Sequence, residues 1–150
     1  MINCIIFDID GTLANLTHRL HFIKQKPKDW PNFKANISGD SPIYPLVYVC
    51  QALNYCGGMD GTDIVFCSGR SLDQFDTTCE WIEEHIGIKK PTLFMRAKDD
   101  YRDDVIIKQE LLTQIRKTWN PILVFDDRQR VVNMWRSEGL MCCQVAKGDF

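Results

Sequence analysis

No stretch of this 150-residue chain approaches the roughly 20 consecutive apolar residues that cross a bilayer as a helix. No basic leader or cleavable apolar region opens it either, since Met1-Ile2-Asn3-Cys4 reads directly as the start of a strand. The seven cysteines contain no C-x-x-C pair and are odd in number. Cys4, Cys50, Cys67 and Cys142 sit in apolar runs, where cysteine acts as a small hydrophobe. No zinc or disulfide framework is expected, and the chain reads as cytoplasmic and reduced, with no membrane partner. One-signed charge is also missing. A net charge of -2 argues against coating long stretches of nucleic acid, although a few local arginines suffice to grip a single end. Internal repeats and low-complexity tracts are absent.

What is present suits a globular core. At 45% hydrophobic and 25% charged residues, the chain fits a single domain, residues 1–150, that buries about two thirds of its unfolded surface. Short apolar runs at Ile2–Phe7, Asp63–Cys67, Pro91–Met95, Ile122–Phe125 and Met141–Val145 alternate with helical patterns. Continuous apolar runs suit the buried strands of a parallel sheet. Leu46, Val49, Cys50 and Leu53 form a helical stripe expected to stop at Gly57-Gly58. Leu72, Phe75, Cys79, Ile82 and Ile86 form another, with Ser71 as N-cap and Gly87 at its end. Ile107, Leu111 and Ile115 mark a third helix, and Val131 with Trp135 a fourth that ends near Gly139. The alternation predicts an α/β fold, a three-layer Rossmann-like domain with a mostly parallel sheet. Residues 14–45 interrupt it, punctuated by Pro27, Pro31, Pro42 and Pro45 and showing no strand pattern. A helix from about Asn15 to Lys24 and a short one around Trp30–Ile37 are predicted there, forming a small helical lid inserted after the first strand.

The chemistry concentrates in Ile5-Ile6-Phe7-Asp8-Ile9-Asp10-Gly11-Thr12. Side chains at i and i+2 of an extended segment share a face, so Asp8 and Asp10 face one small volume as the strand ends. Two carboxylates that close repel unless a cation, a shared proton or hydrogen bonds compensate. An isolated Asp-Gly is a common turn pair, but Asp-x-Asp-Gly-Thr behind an apolar strand points to a metal site with one carboxylate free to attack.

Ligands of open α/β sheets sit beyond the carboxyl ends of the strands, and other polar groups fall there too. Strand two runs into Ser68-Gly69-Arg70, strand four into Asp126-Asp127-Arg128, and Lys108 lies early in the helix after Asp103-Asp104. Phosphoryl transfer to a carboxylate brings two anions together, so a hard cation such as Mg²⁺ with oxygen ligands must neutralise them. Asp8, Asp126, the backbone carbonyl of Asp10 and Asp127 are the natural ligands. Asp8 would then be the nucleophile and Asp10 the acid and base. Ser68 and backbone N–H groups at a helix start would hold the phosphoryl oxygens, and Lys108 would supply positive charge. Each has a plainer reading: a strand-to-helix turn for Ser68-Gly69, a solvated lysine for Lys108, a helix start for Asp126-Asp127.

These four signals, in this order, resemble the motifs of the haloacid dehalogenase superfamily of phosphotransferases. A finer resemblance is to the 3'-phosphatase domain of bacteriophage-type polynucleotide kinase-phosphatase. It is carried by residues 7–14, Ser68-Gly69-Arg70, Asp103-Asp104-Val105 leading to Lys108, and a long block from Asp126-Asp127-Arg128 through Met134-Trp135-Arg136 to Gly148-Asp149-Phe150. The resemblance implies a Mg²⁺-dependent phosphatase with an aspartyl-phosphate intermediate that acts on 3'-phosphate ends of DNA or RNA, with a separate kinase or ligase as a possible partner. It places Thr12, Arg19, Gly69 and Arg70 at the substrate, with Arg19 and Arg70 gripping phosphate through their planar forks. No G-x-x-x-x-G-K-[ST] loop occurs in these residues, so no 5'-kinase half is expected, and residues 14–45 depart from the bifunctional pattern. A nucleotide monophosphatase with the same chemistry is the near alternative, and an inactive nucleic-acid-binding module the more distant one.

Secondary candidates lie mostly in the lid. His18 and His21, three residues apart, read as phosphate or base contacts or as helix surface, and less readily as a metal-ligand pair. Trp30 and Phe33 read as lid core or, if exposed, as a platform for an unpaired base. Lys24, Lys26 and Lys28 read as solvated, or as guiding a strand. Arg96, Lys98 and Arg102 are candidates for nucleic-acid backbone contact, and Trp119 and Trp135 for the core.

Overall fold

The structure, a computed structural model, describes residues 1–148; Asp149 and Phe150, the end of the C-terminal block singled out above, lie outside the described residues. Strands β1 (Ile2–Phe7), β4 (Asp63–Ser71), β5 (Thr92–Arg96), β6 (Trp119–Asp126) and β7 (Cys142–Gln144) form one parallel sheet in the order β5-β4-β1-β6-β7. Helices α3 (Tyr44–Asp60) and α4 (Phe75–His85) cover one face, and α5 (Asp104–Ile115) and α6 (Gln129–Ser137) the other. Successive β1 residues enter opposite layers: Cys4 and Ile6 pack with α5 and α6, Ile5 and Phe7 with α3 and α4. Burial on both faces is why the strand reads as an unbroken apolar run.

The connections decide where a ligand can sit. The chain leaves β1 toward α3 on one face and leaves β6 toward α6 on the other. Strands β1 and β6 are neighbours, so their carboxyl ends flank a topological switch point. Two buried tryptophans tie the core to this edge. Trp81 donates its indole N–H to the Asp40 carbonyl at 2.7 Å, and Trp135 donates to Asp126 Oδ2 at 3.0 Å.

Several local expectations are corrected. Helix α3 does not stop at Gly57-Gly58 but runs to Asp60 and ends at Gly61, whose left-handed φ of 79° halts it. Glycine inside a helix costs only about 1 kcal/mol, so the pair is tolerated. Ser71 occupies the cap position of the 3₁₀ turn Leu72–Gln74 and not of α4, whose cap is Gln74. Ser71 ends β4, its side chain makes no cap bond, and the 3₁₀ turn precedes α4. The lid lacks a helix from Asn15. Instead a short antiparallel pair, β2 (Ala14–Asn15) with β3 (Ser41–Pro42), closes its base. A 3₁₀ turn (Thr17–Arg19), α1 (His21–Lys24) and α2 (Trp30–Ala35) lie between them. Strands of two residues carry too little alternation to be seen in a sequence. Among the described residues no helix is long and apolar enough to cross a membrane.

Candidate active site

The Asp8 backbone N–H, just past β1, donates to the Phe125 carbonyl at 3.0 Å, which fastens the turn to the end of β6. That bond brings Asp8 to Asp126 and Asp127, and one carboxylate oxygen from each of the three lies within 4.8 Å of the others. The Lys108 ammonium, carried by α5, donates to Asp8 Oδ1 at 2.7 Å and Asp126 Oδ2 at 2.8 Å, with Asp104 at 3.9 Å. All four central residues are buried. Thr12 donates its hydroxyl to Asp8 Oδ2 at 3.0 Å. Gly11 has a φ of +83°, and a Cβ there would lie 2.3 Å from Asp127 Oδ2, so only glycine lets the turn approach the acidic pair.

Burial is the largest influence on Asp8 and pushes its pKa well above the usual carboxylate range; Lys108 opposes this, and Asp126 and Asp127 add to it. Burial and then Asp126 raise Asp127 as well. Burial disfavours the Lys108 charge, but Asp126, Asp8 and Asp104 outweigh it and hold the lysine pKa well above its ordinary value. Three buried carboxylates around one ammonium leave a pocket of net negative charge with oxygen donors only. That donor set fits a hard divalent cation such as Mg²⁺.

A second cluster lies beside the first. Asp10 Oδ1 accepts from Arg70 Nε at 3.0 Å, Arg70 Nη2 at 2.6 Å and Arg19 Nη2 at 3.1 Å. Asp40, from the end of the lid, accepts from Arg19 Nε and Nη2 at 2.7 Å each and from Arg70 Nη2 at 2.9 Å. Phe33 lies under the Arg19 guanidinium, 4.3 Å away. Two arginines against two aspartates make this cluster electrically complete. Burial would raise Asp10, but Arg70 and then Arg19 overcome it and lower its pKa. Asp10 Oδ2 accepts no hydrogen bond among the described residues, and the side chain is 28% exposed. One oxygen is anchored, and the other is left open.

The structure brings Asp8, Asp10, Thr12, Ser68, Lys108, Asp126 and Asp127 to the carboxyl edge of the sheet. Arg19 and Arg70, expected at the phosphate, lie beside Asp10 at this edge with their guanidinium groups paired. Arg19 is 0% exposed, Arg70 is buried, and their forks are taken up by Asp10 and Asp40. The Asp10 carboxylate lies outside the three-carboxylate group and pairs with Arg70 instead. Buried Ser68 accepts at Oγ from the Arg70 N–H at 3.1 Å; the chain continues as strand through Ser71, so no helix start adjoins it. Gly69 lies against Asp104, where a Cβ would sit 2.2 Å from Oδ1.

His18 and His21 do not act as a pair: His18 Nε2 meets Asp40 Oδ1 at 2.8 Å, and His21 packs on Phe22. Arg96 turns inward, donating to the Gly69 carbonyl at 2.8 Å and reaching Asp104 at 3.3 Å. Arg102 pairs with Asp100 and Glu110. Of that basic trio only Lys98 faces outward without such a carboxylate among the described residues. Asp40, shared by His18, Arg19 and Arg70, was missed by sequence reasoning, and Asp104, singled out there only as part of the stretch before Lys108, is shared by Arg96, Lys108 and Arg128. Asp40 sits in an ordinary-looking Gly-Asp-Ser-Pro turn, and nothing local marks it.

Comparison with known proteins agrees with this geometry. Residues 2–150 match the family described as the polynucleotide kinase PNKP phosphatase domain. A putative bifunctional polynucleotide kinase/RNA ligase of Autographa californica nuclear polyhedrosis virus is 34% identical over 133 residues, which is 88% of this chain and 17% of that protein. A chain in a structure of the Pnkp1/Rnl/Hen1 complex superposes with a TM-score of 0.80 at 31% identity, covering 100% of this chain and 47% of that one. A class C acid phosphatase from Bacillus anthracis, at 20% identity and a TM-score of 0.57 over 85% of this chain and 53% of that one, shares the fold. The chain thus spans about a sixth of the viral relative and just under half of the solved one.

Proposed function

The chain belongs to the polynucleotide kinase PNKP phosphatase-domain family, within the haloacid dehalogenase superfamily, and from that premise we propose a Mg²⁺-dependent phosphatase that removes 3'-phosphates from RNA or DNA ends through an aspartyl-phosphate on Asp8. The observation that carries this reading is the meeting of Asp8, Lys108, Asp126 and Asp127 in one buried pocket. Asp8, Asp126 and Asp127, with the Asp10 backbone carbonyl, would hold Mg²⁺, which when bound neutralises two converging anions and polarises the phosphoryl group.

The residues then divide the work. One Asp8 oxygen attacks phosphorus, the bond to the strand's 3'-oxygen breaks, and that oxygen takes a proton from Asp10. A water then gives a proton to Asp10 and attacks phosphorus. The bond to Asp8 breaks, inorganic phosphate leaves, and both aspartates are restored. Arg70 and Arg19 favour the ionised form of Asp10, which suits the second step. For the first, the doubly negative phosphoryl group arriving beside Asp10 raises its proton affinity. Lys108 and Ser68 stabilise charge on the phosphoryl oxygens. Arg19 and Arg70 contribute by holding Asp10 in place, and Thr12 by holding Asp8.

The product is a 3'-hydroxyl end, the form that strand joining consumes. The viral relative's name couples a kinase with an RNA ligase, and a solved relative sits in a complex described as one for RNA repair. Both favour a healing step on RNA beside a separate kinase or ligase. Release of phosphate from a 3'-phosphorylated oligonucleotide, compared with free 3'- and 5'-mononucleotides, tests the substrate. Preference for the oligonucleotide is expected; reaction with mononucleotides alone would establish a nucleotide monophosphatase instead.

A further inference from the structure

The lid carries a charge pattern unlike the rest of the chain. Overall the acidic residues outnumber the basic by 20 to 18, yet residues 21–34 hold Lys24, Lys26, Lys28 and Lys34 against the single acid Asp29. Asp29 is occupied as the N-cap of α2, where it accepts from the Asn32 N–H at 3.1 Å. Lys34 reaches Asp73 at 3.8 Å, whereas Lys24, Lys26 and Lys28 are exposed and have no carboxylate partner among the described residues. Such a strip draws in a polyanion.

Within this strip stands one large aromatic surface. Trp30 is 45% exposed, and the Lys28 ammonium lies 5.6 Å from its ring centroid. Its other neighbour is Phe33, met edge-on at 5.7 Å and 88°. Phe33 supports the Arg19 guanidinium, and Arg19 donates to Asp10. Trp30 is therefore two side chains away from the carboxylate that handles the proton, on the solvent side. A strand whose terminal phosphate sat at Asp8 would have to lead outward to solvent, and this edge is one that the contact chain from Asp10 reaches. A half-exposed tryptophan met edge-on by Phe33, with the Lys28 ammonium near its ring and two more exposed lysines in the same segment, matches the aromatic-plus-cation pattern of single-strand binding.

We propose that Trp30, with Lys24, Lys26 and Lys28 around it, is a binding site for the strand that bears the phosphate: an unpaired base stacks on the indole, and the lysines meet the adjoining backbone phosphates. The site rests on the polynucleotide reading given above and deepens it, because it supplies a contact that small phosphate monoesters cannot make. Lys28 leaves the ring face for a backbone phosphate as the base arrives.

The test is steady-state kinetics on an aryl phosphate and on a 3'-phosphorylated single-stranded oligonucleotide, using wild type, Trp30→Ala, Trp30→Phe and Lys28→Ala. Trp30→Ala should raise the oligonucleotide KM by roughly ten- to a hundredfold, the scale of one lost base stack, with the aryl phosphate KM and both kcat values little changed. Trp30→Phe should recover most of that loss. Lys28→Ala should raise the oligonucleotide KM more modestly and flatten its salt dependence. In Asp8→Asn protein, the same oligonucleotide should quench indole fluorescence, and Trp30→Phe should remove the quench. An unchanged oligonucleotide KM in Trp30→Ala would overturn the proposal. So would equal losses on both substrates, which would mark Trp30 as lid packing. If wild type hydrolyses the aryl phosphate but no oligonucleotide, the polynucleotide reading fails first, and the stacking site with it.

Discussion

Asp8 and Asp10 stand two residues apart on one turn, yet they sit in opposite electrostatic surroundings. Around Asp8, burial first and then the Asp126 and Asp127 carboxylates push its proton affinity up against the opposing Lys108 ammonium. Around Asp10, burial would raise its proton affinity, but Arg70 and then Arg19 pull it down, while Asp40 balances the charge of the two arginines. The first cluster sets three carboxylates against one ammonium, a donor set that fits a hard cation. The second sets two aspartates against two arginines and anchors one oxygen of Asp10. Pairs of acids driven apart in this way take separate roles on one fold.

The largest expected effect comes from Asp8→Asn. Loss of the nucleophile should reduce turnover on the order of 10⁴-fold or more, while the melting temperature of chelator-treated protein should rise, because one member of a repelling buried set has gone. A fall in melting temperature would show that Asp8 is not held at a cost to stability.

Breaking the balanced cluster should act in the opposite direction. Asp40→Ala leaves two buried guanidinium groups sharing one carboxylate, and losing a partner from a buried ion pair costs about 3–5 kcal/mol. For a chain of this size that lowers the melting temperature by roughly ten degrees. The displaced Asp10 should lower kcat about a hundredfold. A variant as stable as wild type would disprove the role given to Asp40.

Mg²⁺ sharpens the contrast at the next scale. If it binds the acidic pocket, an excess of about a hundredfold over Kd should add about 2.7 kcal/mol to stability, and Asp126→Asn with Asp127→Asn should abolish the gain. Thermal melts with and without chelator measure it.

The smallest effect is in pH. The folded-state pKa of Asp8 lies above its unfolded value, near 4, so ionising Asp8 on a rise in pH destabilises cation-free protein through that upward window. The lowered pKa of Asp10 has the reverse sign: its contribution is complete above about 4 and is lost as pH falls through the lowered value. Between weakly acidic and neutral pH, chelated wild type should therefore lose melting temperature as pH rises, and Asp8→Asn should flatten that slope. An unchanged slope would assign the titration elsewhere.

The parallel sheet and the acidic pocket were legible because each depends on short-range pattern. Apolar runs mark strands, and polar residues just beyond Phe7, Cys67 and Phe125 mark the edge where strand ends converge. Arginine partners carry no such signature. That Arg19 and Arg70 both pair with Asp40, distant from each in sequence, was not legible in the residues around them. The helix boundaries misread at Gly57-Gly58 and Ser71 have the same origin, since a local stop signal and a local start signal yielded to the longer helix and the extended strand.

The amino-acid order alone determined that two carboxylates leave the first strand on one side, because alternation along an extended backbone is a property of neighbouring residues. Only the tertiary structure decided which of them faces Lys108 and which is clasped by Arg70. Those contacts join residues as many as a hundred positions apart, and charge acts through distance in space whatever the separation along the chain.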